Sequence, residues 1–285
     1  MLMGTVVNFA EIGAAMAERA VDGRGLTVRY NGRPALVDVD LAMPAGAVTA
    51  LVGPNGSGKS TLLSVIAGLI PLTAGDLTVL GRRPGSAGLA ERVSYVLQST
   101  PANEALPVTV REVVTMARFA RRGLFGRLTA ADRRAVDDAL ARLEVADLAD
   151  RHLRELSGGQ RQRVLVAQGL AQGAELLLLD EPVTGLDLTS RDGILSVVEG
   201  VRDAGGTVIV ATHDLGDAER ADHVVLLAGD VVAAGPPDRV ITADNLRRAY
   251  RGRHISDDGV DHIDEHVGCH DPTIEHVRGA AGMRR

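Results

Sequence analysis

The segment Gly53-Pro54-Asn55-Gly56-Ser57-Gly58-Lys59-Ser60 has the residue types and spacing needed to hold phosphate. Its glycines let backbone N–H groups curl around anionic oxygens, and a helix starting at Lys59 adds its positive end. Lys59 brings a compact charge to β- and γ-phosphates, Ser60 offers a hydroxyl to Mg²⁺, and Thr61 continues the first helical turn. The pattern Gly53-x-x-x-x-Gly58-Lys59-Ser60 is that of a P-loop, which makes this a nucleotide site. Of the 31 basic residues Lys59 is the only lysine, so it marks a place where a planar guanidinium does not serve.

A second constellation lies at Leu176-Leu177-Leu178-Leu179-Asp180-Glu181-Pro182, an aliphatic run ending in adjacent acids. Successive side chains of a strand point to opposite sides, which predicts two different jobs for the two carboxylates. Asp180 would hold Mg²⁺ through water, and Glu181 would orient and deprotonate an attacking water as general base. A third lies in the C-terminal tail, where five of the eight histidines stand beside Cys269 and several acids. There His262, His266, Cys269 and His270 form a donor set suited to Zn²⁺, with a solvated tail free of metal as the alternative.

The surrounding text predicts the elements that must position these groups. Leu26–Tyr30 and Ala35–Leu41 read as strands joined at Asn31-Gly32, and Ala47–Val52 as the strand leading into the P-loop. Lys59–Ala67 reads as a helix stopped by Gly68. Short strands follow at Leu77–Leu80 and Val93–Leu97. Thr109-x-x-Glu112 and Ser157-x-x-Gln160 have capping-box form, and residues 107–173 read as a mostly helical insertion. Arginines from Arg118 to Arg134 suit a solvated helix face, or a face turned to a membrane partner. Glu175–Asp180, Thr207–Thr212 and His223–Leu227 are continuous aliphatic runs, as expected of parallel strands covered on both faces. Three regions result: an N-terminal extension over 1–22, one domain over 23–250, and a His/Asp-rich tail over 251–285.

Composition bounds the function. The 285 residues are 45% apolar and 24% charged, enough for a large core and incompatible with a wholly disordered chain. A net charge of −6 gives no global basic field for nucleic acid. A single cysteine rules out an intramolecular disulfide and suits a reducing compartment. No apolar run approaches the length of about 18 residues that suggests a membrane span, and the first ten residues lack the basic start of a secretory signal. The expectation is a cytoplasmic location.

With Leu156-Ser157-Gly158-Gly159-Gln160 added, the chain resembles the nucleotide-binding subunit of ATP-binding cassette (ABC) transporters over roughly residues 25–250. The family's motifs occur in order: Tyr30, the P-loop, Gln98, Ser157–Gln160, Asp180-Glu181, Gly185-Leu186-Asp187 and His213. The resemblance implies an α/β P-loop NTPase (RecA-like) core with an antiparallel β subdomain and a helical subdomain insertion. It implies ATP and Mg²⁺ as ligands, with Tyr30 stacking on adenine and Gln98 reaching Mg²⁺ and the attacking water while reporting to the membrane partner. It implies that Ser157, Gly158, Gly159 and Gln160 face the γ-phosphate of ATP held by a second copy, with Asp187 at the seam. His213 would contact the γ-phosphate and hold Glu181. The implied partners are a second ATPase subunit, a separate polytopic permease and a solute-binding protein, at the cytoplasmic face of the membrane. Gln98–Asp187 is most similar to the zinc, manganese and iron-chelate import group, so the implied cargo is a divalent metal. A non-transport ATPase acting on a soluble partner, and an ATP-sensing metal-binding regulator, are the alternatives.

Overall fold

Residue 19 opens the first strand of the computed structural model, which describes residues 19–30, 32–97, 107–119 and 127–250. The chain begins with β1 (Arg19–Tyr30), β2 (Arg33–Pro44) and β3 (Val48–Val52), then α1 (Lys59–Ile66), β4 (Ala74–Val79) and β5 (Val93–Val96). A helical section follows, with α2 (Val110–Met116), α3 (Ala130–Arg142) and α4 (Gly158–Ala171). Then come β6 (Leu176–Asp180), α5 (Leu188–Asp203), β7 (Thr207–Thr212), α6 (Leu215–Glu219), β8 (His223–Leu227) and β9 (Val231–Gly235). Short helices α7 (Pro237–Val240) and α8 (Ala243–Ala249) end the described region.

The strands form two sheets. An antiparallel sheet has the order β2-β1-β4, and a six-stranded sheet the order β5-β6-β7-β3-β8-β9. All neighbours in the larger sheet are parallel except β8 and β9. The aliphatic runs explain why. Leu177, Leu179, Val208 and Val210 pack into one core, while their neighbours Leu176, Leu178, Ile209 and Ala211 pack into another. Both faces are therefore dry, and each fully buried Leu or Ile contributes about 1.5–3 kcal/mol. One core lies toward the helical section. The other is shared with α1 and the antiparallel sheet.

Three helix starts in the second half of the insertion and its entry are fixed by reciprocal caps. Thr109 and Glu112 open α2, Thr129 and Asp132 open α3, and Ser157 and Gln160 open α4. Each cap of this kind contributes about 1 kcal/mol. Helix α4 lies very close to β5: Ser94 Oγ donates to the Gly169 carbonyl at 3.0 Å, and a Cβ at Gly169 would collide with Val96.

Several expectations are corrected. The sheet starts at Arg19, four residues before the expected domain boundary, because Ala20 and Val21 are fully buried and Val21 pairs with Met43 and Val79. Strand β4 lies earlier than Leu77–Leu80, and Leu80 leaves it with φ +49°. Arg118 is not on a solvated face. It is buried, with Nε and Nη2 donating to Asp132 Oδ1 at 3.0 and 2.9 Å and Nη1 to the Ala171 and Gln172 carbonyls at 2.7 and 3.1 Å. It thereby closes the end of α4 against the start of α3. Arg133 and Arg134 are exposed, as a solvated face requires.

Candidate nucleotide site

Strand β3 is buried along its whole length and delivers the chain to Gly53. A side chain at 53 would run into the Leu227 carbonyl of β8, so the loop leaves the sheet where only glycine fits. Gly58 caps α1 with φ +101°, and a Cβ there would stand 2.6 Å from Leu36 and 2.9 Å from the Ala35 carbonyl. No side chain caps this helix. The adjoining open cavity, about 370 Å³, is lined by Ala35, Asn55, Gly56, Gly58, Lys59, Ser60, Thr61 and Glu181. Pro54 and Ser57 close the loop through Ser57 N–H to the Pro54 carbonyl at 3.0 Å. Lys59 is buried and donates to the carbonyls of Gly53 at 2.7 Å and Pro54 at 3.3 Å.

Glu181 reaches this cavity from just beyond the end of β6. Asp180 is the last, buried residue of β6. Glu181 then takes φ +49°, a left-handed conformation unfavourable for a residue with a side chain, and donates its N–H to the Ala211 carbonyl at 3.0 Å. This turn brings Glu181 Oε1 to 3.9 Å from Lys59 Nζ. Glu181 Oε2 accepts from Thr184 Oγ1 at 3.2 Å and lies 3.6 Å from His213 Nδ1. Its interaction with His213 holds the Glu181 carboxyl below the usual range, and the same interaction raises the His213 imidazole. Asp180 Oδ2 accepts from the Tyr95 hydroxyl at 3.2 Å, whereas its Oδ1 is buried with no hydrogen-bond partner. Burial raises the Asp180 carboxyl, with Ser60 and Tyr95 opposing it.

The remaining expected residues form a separate group. Ser157 caps α4, taking the Gln160 N–H at 3.3 Å while its own N–H reaches Gln160 Oε1 at 3.0 Å. Asp187 caps α5 through Ser190, whose N–H and hydroxyl donate at 2.9 and 2.8 Å and keep the carboxyl low. A Cβ at Gly159 would stand 2.8 Å from Ser190 Oγ and 3.3 Å from Asp187 Oδ2, so the two helix starts are in contact. Gly158 has open space where its side chain would be. None of these residues lines the cavity beside the P-loop. Tyr30 ends β1, 44% exposed. Gln98, His262, His266, Cys269 and His270 lie outside the described residues. Tyr95 and Thr184, which touch Asp180 and Glu181, were not anticipated from the sequence.

Compared with known proteins, residues 36–184, just over half of the chain, match the family model described as ABC transporter. The zinc transport system ATP-binding protein TroB of Treponema pallidum is 39% identical over 245 residues, 86% of this chain and 91% of that protein. The manganese transport system ATP-binding protein MntB of Bacillus subtilis is 37% identical over 229 residues, 80% and 91% of the two chains. Among solved structures, an inward-facing putative metal-chelate type ABC transporter matches with a TM-score of 0.69 at 28% identity, covering 82% of this chain and 89% of that one. A dimeric post-hydrolysis ATP-binding cassette bound to ADP and Pi matches at 0.66 and 26%, covering 76% and 98%. The chain belongs to the ABC transporter family, as an ABC ATPase that takes ATP and Mg²⁺. Among the described residues no helix is long and apolar enough to cross a membrane.

Proposed function

We propose that this chain is the ATP-hydrolysing subunit of an importer, driving a separate membrane permease that carries a divalent metal such as zinc or manganese. The observation that carries the hydrolytic part is the position of Glu181 between Lys59 and His213. In this reading Lys59 exchanges its bonds to the Gly53 and Pro54 carbonyls for phosphate oxygens, and the helix N-terminus at the start of α1 adds to the cradle. Tyr30 stacks on adenine. Glu181, ionised at neutral pH, accepts a proton from the attacking water, and His213 holds it in place.

The hard oxygen donors Ser60 Oγ and Asp180 Oδ1 suit Mg²⁺, and Oδ1 is buried without any partner. Gln98 is assigned to the same ion from the sequence. Bound there, Mg²⁺ neutralises phosphate charge.

Ser157–Gln160 and Asp187 are the half-site for a second copy. Support comes from their separation from the P-loop cavity, from the open space at Gly158, and from Leu188, which is 75% exposed beside Asp187. The permease is assigned to the face at Leu97, which is half exposed beside a cavity lined by Val96, Ala117 and Leu165 and directly precedes Gln98. Cargo is inferred from the metal transport systems to which the relatives belong. A solute-binding protein and a cytoplasmic, membrane-peripheral location follow from the same reading, and the tail donors add a Zn²⁺-responsive appendage.

Glu181→Gln tests the proposal. Turnover should fall about 10²-fold or more with nucleotide affinity retained, and uptake of radioactive zinc or manganese should stop in cells carrying only the variant. Near-normal hydrolysis removes the base assignment. Intact uptake despite abolished hydrolysis removes the importer assignment.

A further inference from the structure

The geometry points to Tyr95 as the positioning residue that decides which oxygen of Asp180 is offered to Mg²⁺. A phenol has one proton to donate. Two acceptors are near it, Asp180 Oδ2 at 3.2 Å and Ser64 Oγ at 3.5 Å. Ser64 already donates its own proton to the Ser60 carbonyl at 2.7 Å, and a carboxylate is the stronger acceptor, so the Tyr95 proton goes to Asp180. Oδ2 is thereby engaged on the protein side. Oδ1, buried and without a partner, is left as the free donor.

This arrangement follows from register. Parallel pairing sets Tyr95 of β5 opposite Leu178 of β6, two residues before Asp180, and Tyr95 is partly buried against the core shared with α1. Its hydroxyl therefore lies between the tip of β6 and the first turns of α1, in contact with side chains of both. Rotation of the Asp180 carboxylate would break the phenol bond. A phenylalanine would fill the same volume and leave the carboxylate free to turn. The role rests on the assignment of Asp180 and Ser60 to Mg²⁺ made above.

The test uses the full chain loaded with ATP, and Mn²⁺ as a paramagnetic probe whose binding is read by electron paramagnetic resonance. Tyr95→Phe should weaken Mn²⁺ binding about tenfold, the usual cost of losing a partner of a metal ligand. ATP affinity measured in EDTA should stay unchanged, as should the unfolding temperature of the nucleotide-free protein. In an Asp180→Asn background the same substitution should have no further effect on Mn²⁺. Unchanged Mn²⁺ affinity in Tyr95→Phe overturns the inference, and so does an equal loss of ATP affinity in EDTA or an additive loss in the double variant. If Asp180→Asn alone leaves Mn²⁺ binding intact, the Mg²⁺ assignment itself fails. If Asp180→Asn weakens Mn²⁺ and Tyr95→Phe does not, only the role of Tyr95 fails.

Discussion

Arg191 clasps Asp217 through both Nε and Nη2, at 3.1 and 2.6 Å from Oδ1. Its Nη2 also stands 3.1 Å from Asp214 Oδ2. Arg191 lies in the first turn of α5, which Asp187 caps, while Asp214 caps α6 directly after His213. One guanidinium therefore joins the helix start that Asp187 caps to the helix start directly after His213. Asp217 is raised chiefly by burial, and Arg191 is the main influence opposing that rise.

Arg191→Ala should therefore leave Asp217 buried without its cation and cost about 2 kcal/mol of stability in urea unfolding. Arg191→Ala combined with Asp217→Ala should recover part of the loss, since no orphaned charge remains. A single variant as stable as the parent would show that solvent replaces the guanidinium at no cost.

The Glu181–His213 contact predicts a pH signature with a defined sign. The His213 imidazole is raised from 6.5, so its share of stability is complete below pH 6.5 and lost as pH rises through the raised value. The Glu181 carboxyl is lowered from 4.5, so its share is complete above pH 4.5 and lost as pH falls through the lowered value. The contact thus contributes fully between pH 4.5 and 6.5. In Glu181→Gln, the His213 midpoint followed by NMR in nucleotide-free protein should fall toward 6.5. An unmoved midpoint would mean that another group holds the proton.

The separation of Ser157 from the P-loop cavity predicts complementation between chains. Neither Lys59→Ala nor Ser157→Arg alone should hydrolyse ATP at the parent rate. Mixed, they should form heterodimers in which intact Lys59 of one chain faces intact Ser157 of the other. Activity in the mixture above that of either variant is the expected outcome. Mixtures no better than their components would remove the shared-site model.

The strands of the parallel sheet were legible because continuous aliphatic runs such as Leu176–Leu179 and Val208–Val210 have no other stable place than between two cores. The caps at Thr109 and Ser157 were legible because a capping box is a local code. The cap at Thr129 escaped, since its partner is Asp132 and not a longer acid, and that acid also serves Arg118. Strand β9 escaped for a related reason: Val231–Gly235 is short, only partly buried, and owes its conformation to antiparallel pairing with β8. At the site, the motif residues were readable from spacing, but the bend at Glu181 was not. It depends on a backbone bond to Ala211 of β7, thirty positions away. Tyr95 depends on inter-strand register in the same way.

Gly169 gives α4 the geometry of a lever. The contact with β5 lies twelve residues from Ser157, about 18 Å along the helix axis at 1.5 Å per residue. A tilt of about 5° pivoting at Gly169 would carry the Ser157 end by about 1.5 Å, half the length of a hydrogen bond. The same point is tied by the Ser94 hydroxyl to the Gly169 carbonyl, on a strand that ends two residues before Gln98. Any movement of α4 about its contact with β5 would thus be larger at Ser157 than at Gly169.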